Sequence, residues 1–288
     1  MQQWQPYSQR RKMLTTQQLK DIEQLQKECE THDHLQLKLN WEMLRNRGSD
    51  QLDFFHYEND ELVAFLGLYI FGSTVEICGM VKPSERRTGH FHRLFRLGME
   101  KVKQNGYKKI LLNAPAGSDT AKAFLSKLGA EYAFSEHQME WQEKPLEETD
   151  SILLRQARLE DYEMRVRLSV TAFGVDEEDA RVMESKALED NTEMLMIVVD
   201  ERTVGKIRVS REEGQAWIYG FSILPEYQGK GIGRKVLRRV IKEQNSAGYS
   251  VHLEVETKND HALGLYESVG FKAVHAQDYY RYQPSFSK

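Results

Sequence analysis

A chain of 288 residues with a formal net charge of −4 has room for about two ordinary domains, each with its own core. Its charge balance is too even to argue for nucleic acid or strong electrostatic steering, and its 40% hydrophobic and 29% charged residues fit a soluble globular protein with no membrane-spanning run. Two cysteines, Cys29 and Cys78, exclude a disulfide framework, and the start, Met1 to Pro6, carries no apolar signal core, so a reducing, cytoplasmic setting without membrane partners is expected.

In chain order, residues 15–30 (TTQQLKDIEQLQKECE) read as a helix. Residues 53–60 and 61–71 read as a hairpin turning at Asn59-Asp60, and 74–81 as the next strand. A loop from Lys82 leads into a helix with Phe91, Leu94, Phe95, Met99 and Val102 on one side and Gly98 as a gap in that stripe. Residues 108–114 are a strand and 119–132 a helix. The charged, proline-bearing stretch 142–150 then reads as a joint, which gives domains at 1–145 and 146–288.

The second half repeats this plan. Residues 151–157 read as a strand, 158–170 and 176–188 as helices, and 194–200 as a buried strand ending in a turn at 201–205. Strands at 206–211 and 216–224 complete a meander. A glycine turn follows, then a helix with Val236, Leu237, Val240 and Ile241 on one stripe. A strand at 249–255, a helix at 259–269 and closing strands from Phe271 to Tyr282 finish the chain. Pro83 and Pro225 both end the third meander strand, and Gly89 and Gly231 each follow six residues later. Ala121 falls against Ala262, and Gly129 against Gly270. A period this long signals duplicated domains, not a solenoid.

The segment LPEYQGKGIGRKVL, 224–237, joins a strand to a helix through three glycines in five positions. A glycine turn at a helix N-terminus is an anion site, because the first N–H groups lack partners and the helix dipole favours negative charge. The nucleoside-triphosphate loop fails here, since Gly229-Lys230-Gly231 lacks the required Ser or Thr. The dinucleotide fingerprint fails too, because its third glycine falls on Arg234. Gln228-Gly229-Lys230-Gly231-Ile232-Gly233 instead resembles the Gln/Arg-x-x-Gly-x-Gly/Ala motif of the GNAT superfamily of N-acetyltransferases. Asn259, Ala262, Tyr266, Gly270 and Phe271 match that superfamily's Asn-x-x-Ala-x-x-x-Tyr-x-x-x-Gly-Phe helix.

The resemblance implies an α/β (α+β) fold of two tandem domains, each a mixed, mostly antiparallel twisted sheet flanked by helices. It implies acetyl-coenzyme A as co-substrate, no metal, and direct acetyl transfer to an amine of a small molecule or peptide. Its cofactor-binding positions are Ile223, Leu224, Gln228, Gly229, Lys230, Gly231, Ile232, Gly233, Arg234, Asn259 and Tyr266. Tyr266 matches the acid position that protonates the leaving thiolate, and a backbone N–H near Ile223 or Leu224 is expected to hold the acetyl oxygen. Only roughly one in 2,500 lysine-like amines is neutral at pH 7, so a base is required. On the alternating strand Val251–Glu256, Glu254 is the choice by position, with His252, Glu256 and Tyr219 as other candidates. A non-catalytic coenzyme A-binding sensor or structural protein is the alternative, and the spelling does not separate acetyl from longer acyl donors.

The first half departs from the motifs. Phe91 stands at the last glycine of the loop, Leu125 at the tyrosine and Ser118 at the asparagine, so this copy is expected to be non-catalytic. It is expected to act as a built-in partner, either in a monomer carrying an internal pseudo-dimer or in a homodimer. The acceptor would be read by residues 158–190, where Glu177, Glu178, Asp179, Glu184, Glu189 and Asp190 suit a cation. Glu30 with His32 and His34, and His90 with His92, lack the spacing of a zinc site.

Overall fold

The structure is a computed structural model and describes residues 13–48, 51–146, 152–187 and 192–284. The acidic positions Glu189 and Asp190 lie outside the described residues. By contacts the chain divides into a first unit, residues 1–132 with 279–288, and a second unit, 133–278.

The first unit begins with α1 (Thr16–Asp33), fixed at its start by a capping box between Thr15 and Gln18. A short α2 (Trp41–Arg45), not foreseen from sequence, follows. Strands β1 (Asp53–Glu58), β2 (Glu61–Phe71) and β3 (Thr74–Val81) form an antiparallel meander. The β1–β2 turn holds Asn59 and Asp60 at φ 48° and 64°, as a tight hairpin requires. Helix α3 (His90–Asn105) leads to β4 (Lys109–Pro115), which runs parallel to β3, and α4 (Asp119–Lys127) completes the unit. The sheet order is β1-β2-β3-β4, with the end of β11 (Phe271–Arg281) beside β4. Strand β2 is apolar without alternation because both its faces are covered. Leu62, Phe65 and Tyr69 pack with Ile22, Leu25 and Cys29 of α1, while Ala64, Leu66 and Leu68 pack with Leu94, Phe95 and Met99 of α3.

Strand β5 (Glu131–Trp141) replaces the end of the helix expected at 119–132. Gly129, at φ 70°, stops α4 and releases the chain into it. From Ala133 onward β5 belongs to the second unit.

There the chain forms β6 (Leu153–Gln156), α5 (Tyr162–Phe173), α6 (Glu177–Lys186) and the meander β7 (Glu193–Val199), β8 (Arg202–Glu212) and β9 (Gln215–Ile223). The β7–β8 turn sits at Asp200-Glu201, earlier than the 201–205 expected, so Arg202 to Gly205 are strand. Helix α7 (Ile232–Ser246), strand β10 (Ser250–Glu256) and helix α8 (Asp260–Ser268) follow, and β11 is one long strand. The order is β11-β5-β10-β9-β8-β7-β6. One face is apolar: Ile207, Val209, Ile218, Val251 and Leu253 meet Val236, Leu237, Val240 and Ile241 of α7. Among the described residues no helix is long and apolar enough to cross a membrane.

Candidate active site

In the second unit β9 and β10 pair in parallel from Gln215↔Ser250 only as far as Ile218↔Leu253. Beyond that point β10 continues with β5 as partner, Glu254 lying opposite Gln138, while residues 219–223 of β9 stay with β8. The two central strands therefore part, and a slot opens between them. A shift in the β8–β9 register between Lys206 and Arg208, with Gly220 at φ 56°, bends β9 at the same place. The Leu224 N–H is spent on the Val204 carbonyl at 2.8 Å. Strand alternation turns the Ile223 N–H to the opposite side, toward the slot. Of the two donors expected from sequence, Ile223 is the one available.

The glycine loop closes the end of the slot. Gly229 and Gly231 sit at φ 72° and 76°, where an L side chain is strained, and a Cβ at either would meet nothing within 4 Å. Their glycines serve backbone conformation. Gly233 serves closeness, since a Cβ there would lie 3.1 Å from Leu265 Cδ2. Gly231 is the N-cap of α7 and supplies no side-chain cap, so the opening N–H groups, at Ile232, Gly233 and Arg234, point out of the helix end for an anion. Gln228 is exposed, and its Nε2 donates to the Ile223 carbonyl at 2.8 Å and braces the loop. Lys230 Nζ lies 5.1 Å from the centroid of the Tyr227 ring, and Arg234 Nε donates to Ser268 Oγ at 3.2 Å. Asn259 caps α8, its side-chain oxygen accepting from the Ala262 N–H at 3.1 Å.

Tyr266 is 9% exposed and packs edge-on against Phe271. Burial pushes its phenol up to about 12, so it is protonated at neutral pH. Its hydroxyl makes no hydrogen bond to a described residue. On the sheet face away from α7, Glu254 accepts from Gln138 Nε2 at 3.0 Å. His252 stacks on Trp217 at 5.0 Å, its Nε2 lies 2.8 Å from Ser250 Oγ, and burial pulls its imidazole below the ordinary range against the opposing charge of Glu140. Glu256 is exposed, and Tyr219 lies under the Arg208 guanidinium at 5.2 Å.

A buried charged cluster beside the bend was not foreseen. Lys206 Nζ reaches Glu184 Oε1, donates to Ser169 Oγ at 2.7 Å and lies opposite Ser222 in the register. Arg165 donates to the Glu184 carbonyl at 3.1 Å. Burial pulls the Lys206 ammonium below its ordinary range, while Glu184 opposes that shift. Glu184 is thus a core partner of two cations and not part of an acidic surface for an acceptor. Glu177, in the same acidic run, pairs with Arg181 at 2.8 Å. The sequence signal was the polar face of β8, where Lys206 and Arg208 alternate with Ile207 and Val209.

The chain matches the family model described as the acetyltransferase (GNAT) family over residues 16–130 and again over 140–271. It belongs to that family.

Its curated relatives match over shorter stretches. The N-alpha-acetyltransferase RimI of Mycobacterium tuberculosis is 47% identical over 57 residues, 20% of this chain and 35% of that protein. The ribosomal protein bS18-alanine N-acetyltransferase of Escherichia coli K12 is 37% identical over 68 residues, 23% of this chain and 46% of that protein. The chain thus spans less than half the length of either relative. Among solved structures, a GCN5-related N-acetyltransferase from Sphaerobacter thermophilus superimposes with a TM-score of 0.75 at 19% identity, covering 96% of this chain and 97% of its own. A tandem GNAT protein from the clavulanic acid biosynthesis pathway does so at 0.61 and 15%, covering 81% and 83%. These two likenesses are likenesses of fold, and both run through most of the duplicated chain.

Proposed function

We propose that the second unit is an acetyl-coenzyme A-dependent N-acetyltransferase. The observation that carries this is the open slot between β9 and β10, closed at one end by a helix N-terminus that no side chain caps. The unpaired N–H groups of Ile232, Gly233 and Arg234 receive the pyrophosphate. Gly229 and Gly231 supply the positive-φ turn, and Lys230 adds charge at the rim. The pantetheine arm lies in the slot, where strand edges offer hydrogen bonds to its amides.

Transfer then proceeds directly. The acceptor amine, freed of its extra proton by Glu254, attacks the thioester carbonyl, and the developing oxyanion is held by the Ile223 N–H. The C–S bond breaks, and Tyr266 donates its proton to the departing sulfur. His252, neutral in its buried stack, is the second candidate base. Two relatives carry names for acting on α-amino groups, which favours a peptide or amino-acid α-amine as acceptor. The first unit is proposed to be non-catalytic.

Calorimetric titration of the full chain with acetyl-coenzyme A tests the reading. One site per chain is expected, and its absence at millimolar ligand overturns the proposal. Tyr266→Phe should lower kcat on the order of 100-fold with little change in the acetyl-coenzyme A KM. An unchanged kcat removes Tyr266 from the acid role.

A further inference from the structure

Three side chains of the first unit meet at the start of α3. His56 Nε2 lies 3.2 Å from Glu58 Oε1, and His90 Nε2 lies 3.4 Å from the same oxygen. One ligand atom from each of the three lies within 4.8 Å of the other two. Four-coordinate zinc, with bonds of about 2.0–2.1 Å to nitrogen and oxygen, sets its ligand atoms about 3.3 Å apart. The two nitrogen–oxygen distances therefore already have the edge length of such a polyhedron. The His56 and His90 rings are 4.4 Å apart at their centroids and 31° from parallel. A tetrahedral ion would hold the centroids at about 5 Å, which a small rotation of either ring supplies. The imidazoles are mostly covered, at 21% and 15% exposure, while Glu58 at 44% leaves the remaining side open to water.

The duplicated half shows what these positions do without such chemistry. The strand registers align His56 with Ile197 and Glu58 with Val199, and the glycine loops align His90 with Ile232. Ile197 and Ile232 belong to one apolar cluster, with Val199 packed against it. In the second unit the three aligned positions all fall in or against that one apolar core. There they are Ile, Val and Ile. In the first all three carry ligand atoms suited to a borderline divalent metal. Two histidines and a carboxylate gathered where an apolar contact suffices need a reason other than packing.

We propose that His56, Glu58 and His90 form a site for a divalent transition-metal ion, zinc by the character of its donors, with water in the fourth position. The ion bonds β1 to the first residue of α3 and so clips the loop of the first unit in place. No reaction is assigned to it. The site is independent of the acetyl-transfer reading, because none of its residues lies in the second unit.

The experiment uses the full chain stripped with chelator and titrated with Co2+ as spectroscopic probe, then with Zn2+. One equivalent of Co2+ should give the intense visible bands of a four-coordinate ion with nitrogen ligands, and Zn2+ should bleach them. His90→Gln alone should weaken Co2+ binding by more than about tenfold. The triple variant His56→Ile, Glu58→Val, His90→Ile installs the residues of the second unit. It should fold, melt in chelator no lower than the parent, and lose both the bands and the rise in melting temperature that Zn2+ gives the parent. Absence of a saturable equivalent in the parent overturns the proposal, as does equal binding by the triple variant or by His90→Gln.

Discussion

The two glycine loops of this chain share a backbone and differ in what fills the space beneath it. In the first unit Gly89 caps α3 at φ 97° with no side-chain cap, as Gly231 caps α7 at φ 76°. Arg87 holds φ 69° where Gly229 holds 72°. Arg86 Nε donates to the Val81 carbonyl at 3.1 Å, the counterpart of the bond from Gln228 to Ile223. Strands β3 and β4 also part, pairing from Thr74↔Lys109 only to Ile77↔Leu112. Yet this slot is plugged. Phe91 Cε2 comes within 2.6 Å of where Gly79 would carry a Cβ, and its ring packs edge-on against Phe124 at 5.0 Å. The guanidinium of Arg86 is tied to Asp33 by two bonds of 2.8 and 2.6 Å. Loop conformation and parted strands recur together in both units, and the difference between them is the aromatic ring of Phe91 where the second unit has Gly233.

The sharpest way to break this contrast is to move the ring. Gly233→Phe should fill the slot of the second unit from the same loop position and weaken acetyl-coenzyme A more than about 100-fold by calorimetry. Its first cost is only the yielding of Leu265. Phe91→Gly, by contrast, should leave kcat unchanged and cost roughly 3 kcal/mol in denaturant melts, since the ring is partly exposed. Measurable acetyl-coenzyme A binding at the emptied first site would show that Phe91 alone closes it.

A second contrast lies across β2 and β8. Phe65 and Met80 occupy in the first unit the paired positions held by Lys206 and Ser222 in the second. Lys206→Met should destabilise by about 3 kcal/mol, because it leaves Glu184 short of a buried partner. The triple change Arg165→Met, Glu184→Leu, Lys206→Met should return most of that stability in thermal melts. If the triple variant keeps its fold and loses kcat, the cluster positions the bend of β9 and is not a relic of packing.

The smallest expected effect is an absence. With Tyr266 pushed up to about 12, its proton is retained far into the alkaline range. kcat/KM should therefore rise as the acceptor amine deprotonates and show no descending limb up to roughly pH 10. A falling limb near pH 8 would assign the acid role to another group. By linkage the same shift makes Tyr266 favour folding below the ordinary phenol range, an effect lost as pH rises toward 12.

Much of this was legible in the chain itself. The loop 228–233 and the helix from Asn259 to Phe271 have fixed spacings, so local spelling places them. By spelling Ser118 counts as a lost functional position, but it caps α4 by accepting from the Ala121 N–H at 3.3 Å, as Asn259 caps α8. Either side chain does that work, so this substitution says nothing about activity. Phe91 and Leu125 remain as informative departures. Strand β5 was hidden because Glu131 and Tyr132 follow α4 without a proline, and Gly129 alone marks the break. Glu184, Lys206 and the trio at His56 were hidden for another reason. Lys206 is distant in sequence from Glu184, and His90 from His56 and Glu58, and charge counted along a chain cannot tell a solvated face from a buried pair.

The course of β5 bears on how this protein can be cut. The repeat invites a fragment starting near residue 146, yet Glu136 to Glu140 form the hydrogen-bonded neighbour of His252 to Glu256. A protein trimmed there would expose one rim of β10 as bare N–H and C=O groups, a template for pairing with other chains. It would also take away Gln138, the amide that steadies Glu254. Insolubility or weak turnover in such a fragment would report a missing ribbon of main chain and nothing about the need for a second lobe.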